Sequence, residues 1–166
     1  MVRWSFPRRF AAGAFALALL GAAAPAPPVD FTNFGVYPAP PCAVDGQHPP
    51  AFALTHGTFG WSTTAGDAGV EIQFRSADFG HLRGDASVQA AVLLGCDYPD
   101  PGFFNQWVDV FDVRGPGAAT FVAAIAAGDE EGPTRSVRIL GGRLVVVTDA
   151  RKIYALRGSA LVPVLR

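Results

Sequence analysis

The most constraining feature of the sequence is residues 76–96, in which one strand enters a polar turn and an apolar strand leaves it. The first segment ends near Phe79, and the second, residues 90–94, is entirely apolar and leads to Cys96. A short apolar segment bounded by turn residues is typical of a central β-strand. We therefore interpret this stretch as the central hairpin-like unit of a small β domain.

The rest of the chain shows the pattern of further short strands. Apolar and polar residues alternate over 70–75, and Gly-Gly at 141–142 and His-Gly at 56–57 separate short apolar segments as hairpin turns do. The 19 glycines and 14 prolines are scattered between such segments. This pattern predicts a single all-β domain, either an antiparallel sandwich or a partly closed barrel-like structure.

Several segments are less clearly defined. Residues 30–37 predict an irregular strand or a tether at the start of a β domain that spans residues 30–166. Residues 51–55 predict one arm of a hairpin. The alanines of residues 121–127 favour a helix, but apolar residues alternate there too, and we prefer a strand.

The first 23 residues have the order of a signal peptide. Arg3, Arg8 and Arg9 precede an apolar segment, residues 10–24, that is shorter than the roughly 20 residues of a membrane span. Small residues follow and place cleavage after Ala23, before a Pro-rich linker at 24–29. An uncleaved anchor is the alternative interpretation. The expected location is secreted or periplasmic.

Charge argues against one class of partner. Removing three of the 13 basic residues with the leader leaves ten against 14 acidic residues, a mature net charge of −4. A mildly acidic chain without a basic stripe is a poor nucleic-acid ligand. We expect no nucleic acid, no membrane span in the mature chain, and an envelope or extracellular partner whose identity the sequence does not reveal.

The chain has two cysteines, Cys42 and Cys96, both beyond the leader. In an oxidising compartment a disulfide is the default, and two buried free thiols are the alternative. We predict a disulfide that holds a Pro-rich loop onto the sheet. Two cysteines without clustered histidines do not make a zinc site.

Scattered motifs resemble a group of uncharacterised secreted bacterial proteins. Residues 30–38 read Asp-Phe-Thr-Asn-Phe-Gly-Val-Tyr-Pro and are similar to their Asp-Phe-x-Asn-Phe-x-Tyr-Pro opening. Residues 79–90 resemble a later Gly-Asp-Leu-Thr-Gly-Asp-Gly turn, and Val-Phe-Asp at 110–112 and the 141–146 hairpin also have counterparts. The resemblance implies no activity, because the group has none to carry over.

The turn at 80–86 is also similar to the calcium loops of FG-GAP propeller blades. Such loops need several oxygen ligands at alternate positions. Here His81 stands at the first acidic position and Ala86 replaces a glycine, so we expect no metal. We interpret Gly84 as a residue with a positive φ, which side chains disfavour, and Asp85 as the cap of the turn.

Catalytic motifs are absent from the sequence. His48, His56 and His81 are isolated, and a triad drawn from Ser62, His56 and an aspartate matches no recognisable motif. Asp109 and Asp112, three positions apart on a strand, face opposite sides and do not form a glycosidase pair.

An aromatic cluster, Phe103, Phe104 and Trp107, follows a polar turn. It predicts either core packing or, if exposed, a contact patch for protein or carbohydrate. We therefore expect no catalytic residues and no cofactor. The leading hypothesis is a non-catalytic binding or structural module of the envelope; the alternative is a secreted hydrolase with an unrecognised site.

Overall fold

The computed structural model describes residues 29–64, 69–99, 104–128 and 132–164. The predicted signal peptide at 1–23, the linker except Val29, and Phe103 lie outside these ranges. All structural statements below concern the described residues.

The described chain is built almost entirely from β-strands, which confirms the all-β prediction. Its nine strands are β1 (Thr58–Trp61), β2 (Val70–Gly80), β3 (Val88–Asp97), β4 (Phe104–Gly115), β5 (Ala118–Ala127), β6 (Ser136–Leu140), β7 (Arg143–Val147), β8 (Arg151–Arg157) and β9 (Ala160–Pro163).

The strands form two antiparallel sheets that each follow chain order. One has five strands in the order β1-β2-β3-β4-β5, and the other has four in the order β6-β7-β8-β9. The end strands of neither sheet pair with each other, so neither sheet closes on itself. Of the two predicted alternatives, the sandwich is confirmed.

The hairpin predicted around residues 76–96 is present. β2 and β3 pair from Glu71 opposite Asp97 to Gly80 opposite Gln89, with one irregularity between Phe74 and Ser76. β3 is buried along almost its whole length, on both faces. A strand that is buried on both faces carries apolar residues at successive positions instead of alternating with polar ones, which explains the continuous apolar sequence of β3.

The five-stranded sheet has an apolar layer on each face. Its Leu93 and Val110 face the four-stranded sheet, where Ile139 and Leu144 meet them. Its Val92 and Phe111 face the other way, toward Phe31 and other residues of the N-terminal segment. We call residues 29–54 the N-terminal cover, because they form the third layer of the domain.

The start of the cover differs from the predicted irregular strand. Phe31–Asn33 is a 3-10 helix, and the Asp30 carboxylate caps it by accepting the Thr32 amide at 3.0 Å. A capping aspartate satisfies amides that a strand would pair elsewhere. Val29, at the end of the predicted linker, is buried in the core.

Two further predictions have different outcomes. The hairpin arm predicted at 51–55 is wrong, because the Phe52 and Leu54 amides donate to carbonyls of Tyr37 and Phe34 within the cover. Only Thr55 pairs with β1, across a turn in which Gly57 has a φ of 84°. The preferred strand at 121–127 is confirmed, because it lies within β5 and pairs along β4.

Candidate functional site

The face of β4 that points toward the N-terminal cover carries a buried carboxylate among aromatic side chains. Alternation along the strand places Trp107, Asp109 and Phe111 on that face, while Val108 and Val110 face the other sheet. Asp112 therefore lies on the opposite side from Asp109, as predicted. Asp109 is a carboxylate in the middle of a sheet and is 0% exposed.

β5 places small side chains next to Asp109 and Trp107. Ala124 is the register partner of Asp109, and Ala126 is the partner of Trp107. Cross-strand partners share a face and lie close together. Because both partners are alanines, their methyl groups do not fill the space next to the carboxylate and the indole.

The opposite wall is the Pro-rich part of the cover, residues 38–41. It is held at both ends. Before it, Tyr37 stacks on Phe52 with ring centroids 5.1 Å apart and meets Phe111 edge-on at 5.6 Å. After it, Cys42 is joined by a disulfide to Cys96 of β3. The wall is therefore anchored by an aromatic cluster on one side and by a covalent bond on the other.

Between the wall and the two strands is an open cleft of about 250 Å³. Its lining residues are Pro38, Ala39, Pro40, Pro41, Trp107, Asp109, Phe121, Ala124, Ile125 and Ala126. Asp109 is the one ionisable group among them. Phe121, a ring that is 41% exposed, lies at its rim.

The environment of Asp109 disfavours its charge. Neither carboxylate oxygen has a hydrogen-bond partner among the described residues. Burial raises the pKa of Asp109 to about 7, and the smaller effect of the Trp107 indole acts in the other direction. The pKa of this carboxyl thus lies near neutral pH, well above the ordinary value of an aspartate. Burial and the charge of Asp109 together raise the pKa of Tyr37, whose hydroxyl donates to the Phe31 carbonyl.

The cysteines and the aromatic residues singled out from sequence have mixed outcomes. Cys42 and Cys96 form the predicted disulfide, with Cα atoms 6.3 Å apart. Trp107 is only 2% exposed and packs in the core, as the core-packing alternative describes, although it also contributes to the lining of the cleft. Phe104 begins β4, but its side chain lies outside the described part.

The polar turn after β2 forms a hydrogen-bond network that extends to β4. Gly84 has a φ of 78°, and the Asp85 carboxylate accepts the Ser87 amide at 2.9 Å. Gln89, fully buried, accepts from the Leu82 amide at 2.7 Å and donates to Asp112 at 3.0 Å. The polar groups of this turn are used for structure.

The acids and histidines considered for chemistry lie apart. Asp78 accepts the Ile139 amide at 2.6 Å and so joins β2 to β6. His48 and His81 contact the backbone carbonyls of Cys42 and Ser87 through Nδ1. Within the described ranges, no three Cys, His, Asp or Glu side chains are grouped to hold a metal.

A second cleft, of about 460 Å³, lies between the start of the cover and the turn from β4 to β5. Its acidic group is Asp30, whose oxygens accept from Thr32 and from Asn33 at 2.8 Å. These hydrogen bonds, that of Asn33 first, lower the pKa of Asp30. The contrast singles out the Asp109 cleft, where the acid has no such partners.

Comparison with known proteins adds no family to this description. The chain matches no protein-family model, and no curated protein and no solved structure is significantly similar to it. No helix in the described part of the chain has the length and hydrophobicity that crossing a bilayer requires. The chemistry of the cleft is therefore the basis for any functional conclusion.

Sequence reasoning noted Asp109 but did not place it in a site. The available signal was an acid inside an otherwise apolar strand, residues 107–111, which reads Trp-Val-Asp-Val-Phe. An acid at the centre of a strand covered on both faces has to be paired or functional. The missing information was the position of the Pro-rich wall, which comes from distant residues.

Proposed function

We propose that this protein is an exported, non-catalytic binding module, and that the cleft over Asp109 binds a cationic group, an ammonium or a guanidinium. One observation carries the proposal: both oxygens of a fully buried carboxylate lack partners, and the residue that carries them belongs to the lining of an open cleft. A buried unpaired carboxylate is costly to the folded state. A cation that enters the cleft supplies the missing partner.

The remaining cleft residues suit the same ligand. The faces of the aromatic residues Trp107 and Phe121 attract cations. Prolines and alanines form the rest of the wall and would pack against the aliphatic stem that carries the charge. An amine or guanidine on a short alkyl chain matches both parts of the cleft.

Export forms part of the proposal. The basic, apolar and small-residue order of residues 1–23 supports it, and the disulfide fits an oxidising compartment. Intact-mass measurement of the protein recovered from the envelope or medium of a bacterial host tests it. We expect cleavage after Ala23, and a mass that includes the leader would contradict this.

The hydrolase remains the second candidate, because a carboxyl with a raised pKa suits general acid–base chemistry. Such a reaction needs a second polar group at the substrate. In the part of the chain that the structure describes, Asp109 and the Trp107 indole are the cleft's polar side chains. The binding function uses the groups present, and we therefore prefer it.

Binding can be tested with methylguanidinium and n-butylamine as ligands. We expect saturable NMR shifts at the Trp107 indole and along β4 and β5, with a Kd of about millimolar for ligands this small. Asp109→Asn should abolish them. Asp149→Asn is the matched control, because Asp149 lies in an exposed ion pair with Arg135. Equal shifts in the Asp109 variant and the wild type would contradict the proposal.

A further inference from the structure

We propose that the outer edge of β5 accepts an extended segment of another protein as an added strand, and that a Lys or Arg of this segment enters the Asp109 cleft. The inference rests on the proposed function of the cleft and names the class of partner. It combines two independent observations, an unprotected sheet edge and an unpaired acid beside it.

β5 is the longest edge strand of the two sheets. It has ten residues, six of them alanine, without a charge or a proline. It pairs with β4 alone, and no described backbone hydrogen bond joins it to another segment, although β9 of the other sheet lies close to it. Exposed edges of this kind accept additional strands.

The other sheet edges are protected in ordinary ways. β1 and β9 have four residues each, and β9 ends at Pro163. β6 has five residues and carries Arg138, which forms an ion pair with Asp78. Short edges, charges and prolines discourage strand addition. β5 has none of these features apart from an irregularity at Val122, where its register with β4 shifts.

The half of β5 beyond that irregularity, residues 123–127, borders the cleft. There Ala124 separates the outer edge from Asp109. Neighbouring strands lie about 4.8 Å apart, so an added strand would lie roughly 10 Å from β4. A long basic side chain that crosses the Ala124 methyl group would meet the carboxylate once the residues that cover it move aside, because Asp109 is 0% exposed. A larger residue at position 124 would block this path.

Charge complementarity decides between another protein and a second copy of this chain. Pairing of β5 with β5 of a second copy would bring only uncharged side chains to the cleft. Both Asp109 carboxylates would then remain without a counter-ion. A segment that carries Lys or Arg supplies backbone partners and the missing cation together.

The test uses a ten-residue peptide of alternating Thr and Val with one central Arg. Two matched peptides replace the Arg with Gln or methylate alternate backbone nitrogens. We expect the Arg peptide to bind at least about tenfold tighter than the Gln peptide, the methylated peptide or methylguanidinium. Hydrogen exchange of residues 118–127 should slow when the Arg peptide binds.

The effect of Asp109 can be tested without a variant that alters folding. Ionisation of Asp109 strengthens binding of a cation, so affinity for the Arg peptide should rise about tenfold or more from pH 5.5 to pH 8. On the neighbouring strands the register partners of Asp109 are Val92 and Ala124, which do not titrate, and in the cover the charge of Asp109 acts on the Tyr37 phenol, whose pKa is raised. The Gln peptide should show no such rise.

The outcomes separate the two proposals. If methylguanidinium binds through Asp109 but backbone methylation does not weaken the Arg peptide, strand addition is wrong and the cationic site stands. If the Arg and Gln peptides bind equally and both protect β5, strand addition stands without the cationic site. If neither binds and β5 is protected by self-association in sedimentation experiments, the occupant is a second copy and the inference is overturned.

Discussion

Two aspartates of β4, three residues apart, occupy opposite electrostatic environments. Asp112 accepts two hydrogen bonds from the Arg83 guanidinium, at 3.2 and 3.1 Å, and one from Gln89 at 3.0 Å. Asp109, on the other face, has no hydrogen-bond partner among the described residues. The same residue type on the same strand is thus paired on one side of the sheet and unpaired on the other.

The pKa values of Asp112 and Asp109 shift in opposite directions because one carboxylate has hydrogen-bond partners and the other has none among the described residues. For Asp112 partial burial acts to raise the pKa, but hydrogen bonds from Arg83 and Gln89 outweigh it and the pKa is lowered. For Asp109 only the Trp107 indole opposes burial, its effect is the smaller one, and the pKa rises to about 7. Desolvation dominates wherever a charge lacks a partner.

Asp112 has a structural role in the fold, whereas Asp109 has none among the described residues. Asp112 and Gln89 connect the turn before β3 to β4, so their loss would leave buried groups unpaired. Asp109 stabilises nothing that the structure shows. Strongly perturbed groups that lie in clefts are candidates for function, which is why we assign binding to the Asp109 face.

The largest expected effect comes from releasing the wall above Asp109. Cys42→Ser opens a loop with a sequence separation of 54 residues, and chain-entropy theory predicts a loss on the order of 4 kcal/mol in the free energy of unfolding. Denaturation at pH 7 measures the loss, and reduced wild-type protein is the control.

The same variant tests the origin of the Asp109 pKa. If the Pro-rich wall keeps water away from the carboxyl, a looser wall should lower the pKa of Asp109 from about 7 toward its ordinary value. NMR titration of the carboxyl carbon follows this shift. An unchanged pKa in Cys42→Ser would show that the wall does not cause the perturbation.

Removing the charge of Asp109 should stabilise the protein, but only at high pH. Its folded pKa is raised, so between about pH 4 and 7 the folded state keeps a proton that the unfolded state releases, and stability falls as pH rises. A pKa shift of about three units corresponds to about 4 kcal/mol in the free energy of unfolding. The Asn side chain of the variant is itself buried without a hydrogen-bond partner, and this cost reduces the net stabilisation.

We therefore expect Asp109→Asn to unfold with a free energy about 3 kcal/mol higher than wild type at pH 8 and similar to it at pH 4. Denaturant titrations at both pH values measure the difference. Asp149→Asn, in the exposed pair with Arg135, should change little at either pH. A destabilised Asp109 variant at pH 8 would mean that the carboxylate has a stabilising partner.

On the face of β4 that carries Asp112, we expect a substitution to destabilise the protein. Gln89 is fully buried, and replacing it with Leu leaves the Leu82 amide without its acceptor. The expected cost is about 2 kcal/mol at pH 7, the usual range for a buried donor left unpaired. Thermal denaturation measures it. Gln73→Leu is the control, since Gln73 bonds only Glu71 at the surface, and an equal loss there would contradict our interpretation.

Local sequence patterns predicted most of the fold because strands are defined by neighbouring residues. Alternation over 70–75 and the apolar segment at 90–94 both correspond to strands, and the Gly-Gly turn at 141–142 joins β6 to β7. The error at 51–55 is of a different kind. Its strand pairing depends on residues 34–37, and local sequence does not specify which partner a short apolar segment takes.

The candidate site was less predictable because it is assembled from distant parts of the chain. Asp109 and Ala124 meet only through the register of β4 with β5, and the wall at 38–41 reaches them through a disulfide. Sequence reasoning found that disulfide and placed the two aspartates on opposite faces. It did not find which aspartate would be paired, since Arg83 reaches Asp112 from 29 residues away.

The smallest predicted effect gives the sharpest contrast between the two acids. Asp112→Asn removes the charge that Arg83 holds with two hydrogen bonds, in a pair whose side chains are about one-third exposed. Water screens such a pair, so we expect a loss of only about 1 kcal/mol at pH 7. Because the folded pKa of Asp112 is lowered, its contribution is complete above about pH 4 and is lost as pH falls further. Taken as variant minus wild type, the difference in the free energy of unfolding for Asp112→Asn should therefore become more negative as pH rises, from near zero at low pH to about −1 kcal/mol above pH 4. The same difference for Asp109→Asn should become more positive, from near zero at pH 4 to about +3 kcal/mol at pH 8. Parallel denaturation series on both variants measure the two slopes, and slopes of the same sign would contradict the assignment of one paired and one unpaired aspartate.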